Sequence, residues 1–325
     1  KGIKVRFETK ALELIVAGNG AVTGLRARGK GGEVLLLGSV ILATGGFQAN
    51  VEMRTRYLCK GADGLIVRGS RYLTGDGLNM AIAKGAQSAG NWGDFHTAVL
   101  DARSAAVECG ETNINTFPHT LIVNLDGRRF VDEGADFFDK TYVVYGKTIL
   151  EQSGGRAFCL FDANMAQRGL VFGQREDFEP QQAGSLRRLA EMTGIDPAGL
   201  ERTVAEYNAA IGPGEFDPTR LDGKSTRGIT PPKSNWAMPL DTPPFFAFPV
   251  TGGITFVLGG LKTDERARVI DTEERAMPGL YAAGEIMGDF FWRHYPGGAS
   301  LNRAVVFGRI AGRNAALAAQ KSNRA

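Results

Sequence analysis

Three stretches of this chain share one design, a β run that breaks into a Gly-centred turn. They are Ile41-Leu42-Ala43-Thr44-Gly45-Gly46-Phe47, Leu280-Tyr281-Ala282-Ala283-Gly284-Glu285 and Tyr295-Pro296-Gly297-Gly298-Ala299-Ser300-Leu301. Gly carries no Cβ, so backbone N–H groups at such turns can come close to phosphates or ring heteroatoms. A helix expected from about Ser300 to Ala319 would aim the positive end of its dipole at an electron-rich group. Singly, each turn is only a turn; together and in this order they predict a nucleotide-like cofactor. Gly18-Asn19-Gly20-Ala21-Val22-Thr23-Gly24 imitates a dinucleotide motif, but its last Gly is one place too far on and no amphipathic helix follows, so it reads as a hairpin turn.

The elements that must position these turns follow from periodicity. Alternation predicts a β meander over residues 3–44: a run with Ile3, Val5 and Phe7 on one face, then Ala11–Val16, Val22–Arg28, Val34–Leu37 and Val40–Ala43. Gly75-Asp76-Gly77 leads into a helix carrying Leu78, Ala81 and Ile82. Ser185 can cap a helix running to Met192, and Asp196-Pro197 supplies an N-cap and a first-turn Pro for a second, with Leu200, Val204 and Tyr207 on one face. After a Pro-rich stretch come a hairpin over 261–271 and a buried strand at 280–283. In the last helix, Ala304, Gly308, Gly312 and Ala316 form a stripe of small side chains along which another backbone could pack closely. These elements predict an α/β fold with an inserted α+β cap, divided as residues 1–94 with 257–325, and 95–256.

Composition limits the partners. Of 325 residues, 38 are Lys or Arg and 35 are Asp or Glu, a net charge of +3, and the basic residues are interspersed with acidic ones. That leaves no nucleic-acid or membrane-surface footprint and points to a small molecule. Apolar runs end well short of the ~20 residues of a membrane span. Gly is the outlier at 44 residues, twice the usual ~7%. Cys59, Cys109 and Cys159 are far apart and never paired as Cys-x-x-Cys, which argues against a disulfide framework or a zinc site and for a reducing, cytoplasmic setting.

The order of Ile41–Phe47, Thr74–Gly77, the Ser185–Asn208 helical pair, Gly259-Gly260, Pro278–Glu285 and Pro296–Gly312 resembles the flavoproteins of the fumarate reductase and succinate dehydrogenase superfamily, over nearly the whole chain. Within it, Arg129–Asp136 and Tyr295–Gly298 are most similar to the tricarballylate dehydrogenases, and the 3-ketosteroid dehydrogenases share the Tyr-Pro-Gly feature. The resemblance implies FAD, bound by a Rossmann-like domain, with substrate beneath an inserted cap. The family's opening strand and Gly-x-Gly-x-x-Gly turn are not in this sequence; the resemblance implies that they precede Lys1, that the domain here is incomplete, and that FAD is held by the full-length protein and weakly or not at all by this portion alone. It implies further that Ala43, Thr44 and Gly45 lie near the dinucleotide, with Asp76 near the flavin. Glu285, after Gly284, would bond ribityl or ribose hydroxyls, and Ser300 and Leu301, after Gly298, would face the ring's pyrimidine edge.

Chemistry in that superfamily moves a hydride to or from a carbon while a proton moves at its neighbour. Such a reaction calls for an acid or base at the proton and for cations or hydrogen bonds where enolate charge develops. His96 matches a substrate-carboxylate histidine. Tyr295 stands where fumarate reductases use arginine, and resembles the ketosteroid enzymes' carbonyl-polarising tyrosine. Arg293 and His294 could anchor a carboxylate, and Tyr72 and Thr255 could line the site. Phe137-Phe138 and Phe256 occupy places where fumarate reductases carry an arginine and a histidine, so fumarate reduction by that machinery is not expected. Arg128 and Arg129 read as surface residues of a hairpin. The expectation is an FAD-dependent dehydrogenase of a C–C bond beside a carboxylate, a tricarballylate-like polycarboxylate first. A ketosteroid-type enzyme, a fumarate reductase-like enzyme working by other residues, and a cofactor-free, non-catalytic fragment are the alternatives. An electron-acceptor protein is the expected further partner, and no metal is expected.

Overall fold

Turn chemistry and alternation together build the first sheet. Lys10–Val16, Val22–Gly29 and Gly32–Leu37 form an antiparallel three-stranded meander, closed by the hairpin at Gly20, where Gly accepts a positive φ of 80°. The structure, a computed structural model, describes residues 2–171, 178–293 and 295–322. Two expectations for this region change. Ile3, Val5 and Phe7 form no strand and are 85%, 67% and 83% exposed, because no neighbouring strand offers them a ladder among the described residues. Val40–Leu42 leaves the meander and pairs in parallel with Ala276–Ala282, which also pairs with Arg268–Ile270. Parallel pairing needs a long crossover, here supplied by everything between residues 42 and 276.

The chain divides into two units. One comprises Lys1–Lys60, Arg71–His96 and Phe256–Ala325; the other comprises Gly61–Ser70 and Thr97–Thr255. Residues 61–70, assigned from the sequence to the cofactor part, cluster with the second unit because their strand Ile66–Arg68 pairs there with Val107–Glu108.

In the first unit, Asn50 caps the helix Val51–Tyr57, and Asp76–Ile82 begins directly after Gly75 in the left-handed region. The C-terminal helix Ala299–Ser322 buries Arg303 and Ala311, the latter packing with Phe307 and Ile310 against Ala267 and Tyr281. The buried face is therefore not the small-residue stripe: Gly308 and Gly312 are exposed, with nothing within 4 Å of a Cβ built on either.

In the second unit a sheet separates two cores by strict alternation. Ala157, Cys159, Phe161, Phe248 and Val250 face one cluster with Ile122, Tyr145 and Ile149, which the helix Phe138–Leu150 covers. Phe158, Leu160, Phe245 and Ala247 face the other, with Leu189, Leu200, Val204 and Tyr207. Those last four come from a helical pair, Leu186–Thr193 capped by Ser185 and Pro197–Ala210 capped by Asp196, as the capping signals predicted. Each fully buried Leu there contributes about 1.5–3 kcal/mol. The second unit also buries ions. Arg129, expected on the surface, is a buried cation whose side chain is 4% exposed, paired at 2.6 Å with fully buried Glu133 and bonded to the carbonyls of Pro231 and Pro232. Arg128 is exposed as expected. No helix among the described residues is long and apolar enough to cross a membrane.

Removing one member of a buried ion pair strands the other's charge. Glu133→Gln is expected to lower unfolding free energy by about 3–5 kcal/mol, measured by urea denaturation. A loss no larger than that of an exposed pair such as Arg188–Glu191 would contradict this account of the second unit's core.

Candidate active site

The register of one short parallel pair brings the first two Gly turns together. Leu42 lies opposite Ala282, and the Ala283 amide donates to the Leu42 carbonyl at 2.9 Å. Ala43-Thr44-Gly45 and Gly284-Glu285 therefore leave the carboxyl ends of adjacent strands, where open α/β sheets bind their ligands. Gly284 takes a positive φ of 82°, and a Cβ on it would lie 3.6 Å from that of Ala304. That contact brings in the third turn, since Ala304 belongs to the second turn of the C-terminal helix. Gly298 has a φ of 78° and its carbonyl accepts the first α-helical bond, from the Asn302 amide at 3.1 Å. The amides of Ser300 and Leu301 precede that bond and are among the orphan donors of the helix start. Leu301 is 68% exposed.

Glu285 ties the cradle together. Its Oε1 accepts from Gln48 Nε2 at 2.6 Å and from the Val257 amide at 3.1 Å. Gly46 must be Gly here, because a Cβ would stand 2.7 Å from both Glu285 Oε1 and Gln48 Oε1 and would strike Val257 Cγ2. Burial pushes the Glu285 carboxyl up to about 7, against the donors Val257, Gln48 and Gly46 and the charge of Arg303, which favour the anion. Asp76 lies beside this segment, since Gly77 packs directly on the Thr44 hydroxyl, but its carboxylate turns outward and pairs with Lys10 at 2.9 Å on the surface.

A second cluster joins His96 and Tyr295, residues nearly 200 positions apart in sequence. Their rings stack at 4.2 Å with an 18° interplanar angle, and His96 is 1% exposed. Phe256 and Phe291 close on Tyr295 at 5.0 and 5.1 Å. Arg293 is exposed, and His294 lies outside the described residues. Tyr72 is 80% exposed, while Thr255, in the other unit, accepts from Arg68 at 3.5 Å.

The sequence reading missed Arg303. This residue is 6% exposed, and its guanidinium carbon lies 5.0–5.1 Å from the ring centres of Phe256, Phe290 and Phe291. Burial drives its pKa down to about 10, against the nearby Glu285 and Tyr295, which favour the cation. The signal was available. Arg303, Phe307 and Ala311 follow at i, i+4 and i+8 on the buried face of the C-terminal helix, and an arginine on an apolar stripe calls for an explanation. Gln48 was also missed, because nothing in its neighbourhood in the sequence marks it as the partner of residue 285.

Convergent strand ends, a Gly46 with no room for a Cβ unless its neighbours shift, and a helix start with orphan amides thus come together in one unit. The family described as FAD binding domain matches residues 1–301. The chain belongs to that family. FAD is accordingly its cofactor, and the exposed Ala43 and Thr44, the carboxyl of Glu285 and the Ser300 and Leu301 amides offer donors and acceptors that fit the hydroxyls and ring edge of an FAD. The NADH:acrylate oxidoreductase of Vibrio harveyi is 31% identical over 328 residues, 96% of this chain and 30% of that protein. Among solved structures, the open conformation of a flavocytochrome c3 fumarate reductase matches with a TM-score of 0.76 at 28% identity, over 98% of this chain and 53% of that one. A 3-ketosteroid delta1-dehydrogenase from Sterolibacterium denitrificans matches with a TM-score of 0.74 at 26% identity, over 96% and 59%. The chain thus spans between 30% and 59% of the length of these relatives.

The raised Glu285 pKa has a pH consequence. Between the ordinary 4.5 and about 7 the folded chain keeps a proton that the unfolded chain has released, so this group's contribution to stability falls as pH rises through that window. His119 acts oppositely: burial pushes it down to about 4 from 6.5, so its contribution rises across that range. The Glu285 effect is therefore read as a difference. From about pH 5 to about pH 7.5 the urea midpoint of the wild type is expected to lose ground steadily against that of Glu285→Gln; parallel curves would show that the carboxyl is not protonated on folding.

Proposed function

We propose that this chain is the flavin- and substrate-binding portion of an FAD-dependent oxidoreductase that acts on a C–C bond next to a carbonyl or carboxylate. The observation that carries the reading is the His96–Tyr295 stack. A buried imidazole lying flat on the Tyr295 ring fixes that ring's plane, and Phe256 and Phe291 hold its edges. A phenol held in this way can donate its O–H to a substrate oxygen at which enolate charge develops. When bound, FAD supplies the hydride acceptor or donor. In this reading Ala43, Thr44 and Gly45 run along the dinucleotide, Glu285 takes ribityl or ribose hydroxyls, and the amides of Ser300 and Leu301 take the ring edge. Asp76, whose neighbour Gly77 packs on Thr44, lies close to the dinucleotide, and the unit holding residues 97–255 serves as the substrate cap.

The tricarballylate-like polycarboxylate expected from the sequence needs several cations around one space. Phe256, Phe290 and Phe291 beside Tyr295 instead favour a substrate with an apolar body and one activating oxygen group. The names of the relatives span both kinds, acrylate and fumarate on one side and 3-ketosteroids on the other. A two-electron reaction also needs an electron donor or acceptor, and the flavocytochrome among the relatives supports a protein partner for that step.

The test is an anaerobic titration of the FAD-loaded protein with cyclohexanone, cyclohexanecarboxylate and tricarballylate, followed by the visible flavin absorption. Bleaching by a ring compound is expected, at a rate that falls about 10²–10⁴-fold in Tyr295→Phe, which removes the hydroxyl and keeps the stacked ring. Bleaching by tricarballylate alone would return the substrate to polycarboxylates. A protein of the relatives' full length that takes up no flavin would overturn the enzyme reading.

A further inference from the structure

Arg303 is the one buried cation in the described aromatic cluster around Tyr295 whose hydrogen-bonding capacity is left open. Its Nη1 donates to the Met287 carbonyl at 3.0 Å, whereas its buried Nε and Nη2 have no hydrogen-bond partner among the described residues. Buried donors on a charged group are normally satisfied, and leaving them unmet is costly. The guanidinium is held in place, with its carbon 5.0–5.1 Å from three Phe ring centres. No carboxylate lies within ion-pair distance of it among the described residues.

The two open nitrogens are not an arbitrary pair. Nε–H and one Nη2–H lie parallel on the same edge of the planar guanidinium, the edge that matches both oxygens of a carboxylate. The cage around the guanidinium is also the lining of the proposed catalytic tyrosine: Phe256 and Phe291, two of the three caging rings, are the rings that pack on Tyr295. A planar anion on this edge and an oxygen at the Tyr295 hydroxyl would therefore belong to one molecule with an apolar body between them. Phe290, 40% exposed, is the caging ring with freedom to yield as such a molecule enters.

Resting on the function proposed above, we infer that Arg303 is the specificity-determining residue of the substrate site, taking a single substrate carboxylate side-on through Nε and Nη2. The substrate class is then an apolar or cyclic monocarboxylate rather than a neutral ketone.

The inference is tested on the FAD-loaded protein with two ligands that share a ring, cyclohexanecarboxylate and cyclohexanone. Their dissociation constants are read from the perturbation of flavin absorption in the wild type, Arg303→Gln and Arg303→Lys. The wild type is expected to prefer the carboxylate by about tenfold or more, and Arg303→Gln to lose that preference while its affinity for the ketone stays within about twofold. Arg303→Lys should recover part of the preference, since it restores the charge without the fork. The retained ketone affinity separates loss of a contact from loss of the fold.

A carboxylate preference that survives Arg303→Gln overturns the inference. So does an equal loss of both ligands with an altered flavin spectrum in the ligand-free variant, which would assign Arg303 to the cofactor. A wild type that binds and oxidises the ketone but not the carboxylate overturns it while leaving the proposed function standing. A wild type whose flavin responds to neither ligand removes both.

Discussion

The architecture of the site depends on one parallel pairing, Val40–Leu42 against Ala276–Ala282. Three residues on one side of that ladder determine where two turns, far apart in sequence, release their backbones. A slip of one position would turn every side chain of the short strand to the other face. It would also separate the Leu42 carbonyl from the Ala283 amide that now closes the junction. The rest of the cradle hangs from this pairing: Glu285 reaches Gln48 and Val257 because Gly284 turns the chain back at a positive φ, beside Ala304 of the C-terminal helix.

Charge burial is the second constraint, and its outcome differs between the two units. In the unit holding residues 97–255, Arg129 and Glu133 are desolvated together and each is bonded several times, so the charges are matched and the arrangement is structural. Lys233, fully buried nearby, gives its ammonium to the carbonyls of Pro118 and Thr120 and is drawn down to about 8 by burial. In the other unit, Glu285 and Arg303 act on each other's titration without meeting in an ion pair. A carboxyl held near neutrality and a guanidinium with an unmet edge are what a site looks like when part of its bonding is reserved for a ligand. The same low-dielectric surroundings that make an unmet donor costly would make a well-matched anion bind more strongly there.

Much of the chain's organisation was legible because it is local. The two helix caps at Ser185 and Asp196, the start of the helix after Gly75 and the meander from residue 10 to residue 37 each rest on contacts between residues a few positions apart, and short-range patterns report those directly. Val40–Ala43 was misassigned to the meander because a strand's periodicity carries no information about which neighbour it will pair with. The segment 3–7 was misread for the converse reason: alternation shows what a strand could bury, and burial needs a partner.

For the site, the sequence by itself determined the residue types at the three turns, the order in which they occur, and hence the class of cofactor. Backbone approach and a helix dipole are properties of short segments. Only the tertiary structure decided that Tyr295 lies on His96, that Gln48 and Val257 hold Glu285, and that Arg303 turns into a ring of phenylalanines. Those are contacts between residues up to about 240 positions apart, set by the register of a parallel pair and by which face of the last helix is buried, and a linear pattern encodes neither.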